Sequence, residues 1–134
     1  MTDHLMLGGY LAYNGASANV TYKPTSVSSF WFEVSGTTKK VIPGLFVGYT
    51  ENNGAKTASA TNAYARSTPI SGRGIDHVFR VAPRMEFVSG KFKMGTELEF
   101  TTAAYGAAGT DAKVGGTTDK VTNTRFLFLT SYAF

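Results

Sequence analysis

Between Ile75 and Phe100 the chain sorts its side chains by odd and even position, and few folds accept that pattern. One face of the first stretch carries Ile75, His77, Phe79, Val81, Pro83, Met85 and Phe87, and the other carries Asp76, Val78, Arg80, Ala82, Arg84 and Glu86. After Ser89-Gly90-Lys91 the alternation resumes, with Phe92, Met94, Thr96, Leu98 and Phe100 set against Lys93, Gly95, Glu97 and Glu99. A period of two marks a strand whose faces meet different surroundings. Turn geometry narrows the pairing to two registers. A Ser89-Gly90 turn sets Phe87 beside Phe92, Glu86 beside Lys93 and Arg80 beside Glu99, whereas a Gly90-Lys91 turn sets Arg84 against Glu97. A slip of one residue would mix the faces and is excluded. Either register leaves one apolar face and one ladder of alternating charge.

Similar alternation elsewhere predicts strands near 5–13, 18–23, 28–35, 41–50, 75–88, 92–105 and 121–134. Turn chemistry separates them at Asn14-Gly15, Lys23-Pro24-Thr25, Gly36-Thr37-Thr38 and Ser89-Gly90-Lys91. Two connectors, 51–74 and 106–120, are long and rich in Gly, Ala, Thr and Asn. Short turns at one end and long loops at the other is the layout of an outer-membrane barrel. The expected fold is therefore all-β, an antiparallel up-and-down transmembrane β-barrel. Residues 1–134 would form a single barrel domain or the C-terminal portion of one. A soluble β-sandwich binding module also explains the alternation. It explains less well the length of the strands and the place of Pro83 in one of them, since Pro removes a ladder donor.

Composition excludes several classes. With no cysteine, neither a disulfide frame nor a thiolate metal site is available, and His4 and His77 lie too far apart in sequence to suggest a ligand pair. Mean hydropathy is −0.08 and no apolar run approaches the ~18 residues of a membrane helix. A barrel gives no such run, because every second residue faces inward. The formal charge of +4 comes from basic residues interleaved with acids, not from a clustered basic face, so nucleic acid is not an expected partner. The apolar stretch Leu5–Tyr13, followed by Ala16-Ser17-Ala18, resembles a secretory signal. It lacks a positive n-region and is broken by Gly8 and Gly9, so it reads as a strand. Asn19-Val20-Thr21 matches a glycosylation acceptor, a pattern frequent by chance. No nucleophile elbow, phosphate loop or carboxylate dyad points to catalysis, and no cofactor is expected.

The segment Phe126-Leu127-Phe128-Leu129-Thr130-Ser131-Tyr132-Ala133-Phe134 resembles the terminal strand of Gram-negative outer-membrane porins. Ser29-Phe30-Trp31-Phe32-Glu33-Val34-Ser35-Gly36 and Ile42-Pro43-Gly44-Leu45-Phe46-Val47-Gly48-Tyr49 resemble the C-terminal part of larger porins from anaerobic gut bacteria. The resemblance implies an outer-membrane location, a lipid bilayer around the sheet and a barrel-assembly machinery that reads Phe126, Phe128, Tyr132 and Phe134. It also allows a homo-oligomer. Seven strands is an odd number, so either one more lies within 55–70 or the chain is the C-terminal fragment of a larger barrel.

On this reading small hydrophilic solutes diffuse passively through a lumen lined by Arg80, Arg84, Glu86, Lys93, Glu97, Glu99 and Arg125. The charges would set a transverse field across that lumen. The alternative within the same class is a complete eight-stranded barrel with a structural or adhesive role, too narrow for a pore. Trp31 shares a face with Glu33; the alternation allows it to line the lumen or to anchor at the interface.

Overall fold

The computed structural model describes residues 10–14, 20–56, 64–65, 73–109 and 111–134. All regular structure among them is strand: β1 (Tyr10–Asn14), β2 (Val20–Ser35), β3 (Val41–Ala55), β4 (Tyr64–Ala65), β5 (Arg73–Ser89), β6 (Phe92–Ala108) and β7 (Val114–Tyr132). They form an antiparallel sheet in the order β4-β1-β2-β3-β5-β6-β7. The sheet is open, and β4 and β7 are its edges. β2, β3, β5, β6 and β7 run 15 to 19 residues, well beyond the five or six usual in globular sheets.

The boundaries correct several expectations. Lys23-Pro24-Thr25 is not a turn, because β2 passes straight through it, pairing with β1 from Asn14↔Val20 to Tyr10↔Pro24. Proline removes one ladder donor, but its fixed φ lies within reach of an extended strand, and Val20, Thr21, Tyr22 and Val27 favour one. The expected strands 18–23 and 28–35 are thus one. The connector expected at 106–120 shrinks to residues 109–113, since β6 runs to Ala108 and β7 starts at Val114. Gly and Ala have weak strand preference, but pairing with neighbouring strands overrides it. Likewise 51–74 loses both ends to β3 and β5 and contains β4. Long and short connectors therefore no longer divide cleanly between the two ends. Within 55–70 only the two-residue β4 is described, paired with β1 at the sheet edge, and seven strands occur among the described residues because two expected strands have merged. β7 stops at Tyr132, so Phe134 lies beyond the strand. Residues 5–9, the Gly15 half of the first turn, and His4 and Asn19 lie outside the described residues.

The hairpin turn is settled. Gly90 and Lys91 form it, and of the two only Gly90 has positive φ, at 58°, as the first central position of a type II′ turn requires. The second of the two expected registers follows. Arg80 Nε donates to Thr101 Oγ1 at 2.8 Å, and a Cβ on Gly95 would lie 3.9 Å from Glu86 Cγ, as direct cross-strand neighbours should.

Chain contacts divide the molecule into two compact units, each built from stretches of the same long strands. Residues 1–29, 50–78 and 103–121 make the first, and residues 30–49, 79–102 and 122–134 the second. In the first, Ile75 and Val78 form a small core against Val27, Ala103 and Tyr105. Ile75 and Val78 are both buried although three residues apart, so burial along this stretch of β5 does not follow the strict alternation expected from the sequence. The same unit is tied together by Asn52, which is 2% exposed. Its amide donates to Ile75 O at 3.0 Å and to Ala112 O at 2.9 Å, while its Oδ1 accepts from Gly54 N at 2.9 Å. Ala55 N donates to Asp111 O at 2.6 Å, so the 109–113 turn is held to the end of β3. Gly54 (φ 72°) has to be glycine here, since a Cβ would lie 2.8 Å from Lys113 Cβ.

Both N–H donors of the Asn52 amide and its oxygen have a partner. Asn52→Ala should therefore cost about 1–3 kcal/mol, through two carbonyls and one amide left unsatisfied in a buried place. The readout is a lower denaturant midpoint, with faster hydrogen exchange at residues 109–113.

Candidate functional site

In the second unit, one face of the sheet gathers the chain's charges. Charged side chains reach this face from four strands: Glu33 on β2, Arg80, Arg84 and Glu86 on β5, Lys93, Glu97 and Glu99 on β6, and Arg125 on β7. Strict alternation puts them there, and cross-strand neighbours bring opposite signs together. At the centre Glu99 is 7% exposed. Its Oε2 accepts from Arg125 Nη2 at 2.8 Å and lies 3.6 Å from Arg80 Nη1. Thr101 completes the group, donating to Glu99 Oε1 at 3.2 Å and accepting from Arg80 Nε. Lys93 Nζ lies 2.6 Å from Glu86 Oε2. The Arg80–Glu99 and Glu86–Lys93 pairs thus form as expected, but diagonally, because the turn sits one residue later than the register that would set them directly opposite.

Arg84 departs from expectation. Its guanidinium pairs with Glu33 on β2, two strands away, and not with Glu97. Gly44 on β3 makes the crossing feasible: a Cβ there would sit 2.7 Å from Arg84 Nε and 2.8 Å from Arg84 Cγ. Reasoning over adjacent strands missed Glu33. The available signal was Gly44 inside a strand pattern, since such a glycine marks a close approach by another group. Glu97 is half-buried on the same face.

Trp31 belongs to this face too. It stacks on Phe46 with ring centroids 6.5 Å apart and planes 18° apart. Phe46 in turn lies over Gly48, where a Cβ would be 3.0 Å from the ring. β3 alternation places Gly48 on the side of Gly44 and Arg84.

The opposite face carries most of the large apolar side chains, and many of them are exposed, although Trp31 and, by the alternation of β7, Leu127 and Leu129 stand exposed on the side of the charges. Along β5 Phe79, Met85 and Phe87 are exposed, while Arg80, Arg84 and Glu86 between them are half-buried and Ala82 is buried. Phe30 and Phe32 on β2, Leu45 on β3 and Leu98 on β6 extend the exposed apolar face. Phe126 and Phe128 stand exposed on β7 at 67% and 58%. Tyr132 closes that strand, and the Phe134 ring meets it edge-on at 5.5 Å. The arrangement reverses that of a water-soluble sheet, in which the charged face is the open one.

Comparison with protein-family models, curated proteins and solved structures finds no match. Among the described residues no helix is long and apolar enough to cross a membrane, which has no bearing on strands. No group of three or more potential metal ligands occurs among them either.

Glu99 and Arg125 differ in what their loss leaves behind. Glu99→Ala removes the buried carboxylate that Arg80 and Arg125 both contact and should destabilise by about 1–3 kcal/mol. Arg125→Ala removes a side chain that is 54% exposed and should cost about 0–1 kcal/mol. Denaturant titration of both variants checks the ranking.

Proposed function

We propose that this chain forms part of the wall of a bacterial outer-membrane β-barrel: the C-terminal part of a porin through which small hydrophilic solutes diffuse. The observation that carries the reading is the sidedness of β5 in the second unit, where Phe79, Met85 and Phe87 are exposed while Arg80, Arg84 and Glu86 between them are half-buried. A lipid-facing strand needs that order. A Lys or Arg near the bilayer midplane costs about 2–4 kcal/mol on the lipid side, whereas water in a lumen solvates it. A sandwich needs the reverse, with Phe79, Met85 and Phe87 buried against a second sheet.

The remaining features fit the same reading. Strands of 15 or more residues exceed the 9–11 that a tilted span requires. β7 is an open edge of the sheet, where a further strand adds to close a barrel. The aromatic side chains of Phe126, Phe128, Tyr132 and Phe134 supply the pattern that a barrel-assembly machinery reads. Arg80, Arg84, Lys93 and Arg125 stand against Glu33, Glu86, Glu97 and Glu99, four positive charges against four negative. The lumen would therefore act on solutes through local fields between paired groups rather than through an excess of one sign.

Conductance across a planar bilayer tests the reading. The protein should open ohmic channels of weak ion selectivity. Glu97→Lys should shift the reversal potential toward anion preference, while Met85→Lys should lower the yield of inserted protein. Failure to conduct, together with normal folding of Met85→Lys in water without detergent, would point to the soluble alternative.

A further inference from the structure

On the charged face an exposed tryptophan stacks on a half-buried phenylalanine, an arrangement that neither ion pairing nor lipid contact accounts for. Trp31 is 70% exposed and is the chain's only tryptophan. It stands on the face of Glu33 and Arg84, against the general separation of apolar from charged side chains. A large exposed apolar group amid charges is informative, because nothing in folding favours it there.

The local construction is specific. Glycine at position 48 lets the Phe46 ring lie flat on β3, since a Cβ there would be 3.0 Å from one ring carbon and 3.1 Å from another. Trp31 stacks on that ring from β2. One strand repeat further along β2, about 7 Å away, stands Glu33 with the guanidinium of Arg84 against it. Gly44 clears the room that Arg84 occupies. Two glycines on one strand face thus support an aromatic platform beside a carboxylate and a guanidinium.

We infer that Trp31, Phe46, Glu33 and Arg84 form a binding site for a saccharide. The site rests on the reading of the charged face as water-filled. A pyranose ring has a flat C–H face that packs on an aromatic ring and a rim of hydroxyls that both donate and accept. Glu33 supplies acceptor oxygens and Arg84 supplies N–H donors that still have capacity after pairing with each other. A few placed polar groups beside an apolar surface is the usual composition of a small-molecule site. A cation could also sit over the indole, but Arg84 cancels the charge of Glu33 and leaves it no net attraction. A lipid chain has no use for the ion pair.

The sole tryptophan makes the site self-reporting. In the folded protein in detergent micelles, maltohexaose should change Trp31 emission saturably, and tetramethylammonium should not. Phe46→Ala should weaken the saccharide about three- to tenfold, the scale of one lost aromatic contact. Glu33→Ala should weaken it as well. Retained far-UV circular dichroism confirms that each variant is folded. Should Phe46→Ala fail that check, Gly48→Ala displaces the same ring and takes its place. An unchanged affinity in the folded variant, no emission change with maltohexaose, or saturation by tetramethylammonium instead would overturn the site. Emission is read in micelles and conductance in bilayers. A protein that conducts but shows no saccharide response loses this site alone, and one that does not conduct loses the channel.

Discussion

The two-residue repeat of the β5–β6 hairpin is the constraint from which the other features follow. A pleated strand has no means of turning one side chain toward a different medium without turning every second one with it. Once Phe79, Met85 and Phe87 face outward, Arg80, Arg84 and Glu86 share the opposite side, and β6 inherits the same division through the Gly90-Lys91 turn. The medium must then suit both faces. On the proposed reading, water meets the charged side and hydrocarbon the apolar side, which suits both together.

The charged face is organised well beyond alternation. Glu99 is sheltered and contacted by two arginines and a threonine, so its charge is compensated where solvation is poor. Compensation of this kind contributes less to net stability than to fixing where the charges stand. Arg84 reaches Glu33 across β3 only because residue 44 lacks a side chain. Gly48 does the same for the Phe46 ring and, through it, for Trp31. The glycines of β3 therefore determine what the face presents as much as the charged residues do.

Much of this was legible in the residues, and the failures have physical causes. The hairpin and its sidedness follow from period and turn geometry, while the Arg80–Glu99 and Glu86–Lys93 pairs were read from the register that the chain does not adopt and form as diagonal neighbours instead. The choice between the two turns did not follow, because Ser89-Gly90 and Gly90-Lys91 both offer a glycine. Pro24 read as a turn because local chemistry is visible in a sequence and the ladder that overrides it is not. Residues 106–120 read as a loop for the same reason. The Arg84–Glu33 pair was hidden because it joins strands that are not neighbours. Asn52 was hidden because a polar residue in an apparent loop gives no sign that it will be buried with its donors and its oxygen all bonded.

The central claim is that the two faces of β5 meet different media, and the absence of native cysteine makes it directly measurable. Single cysteines placed in turn at positions 79 to 88 carry a nitroxide label in the bilayer-reconstituted protein. Its collision rates with molecular oxygen and with a water-soluble nickel chelate are then compared. The account predicts two opposed alternations of period two, with oxygen favoured at 79, 81, 85 and 87 and nickel favoured at 80, 82, 84 and 86. Nickel access at 79, 85 and 87 equal to that at 80, 84 and 86 would contradict it.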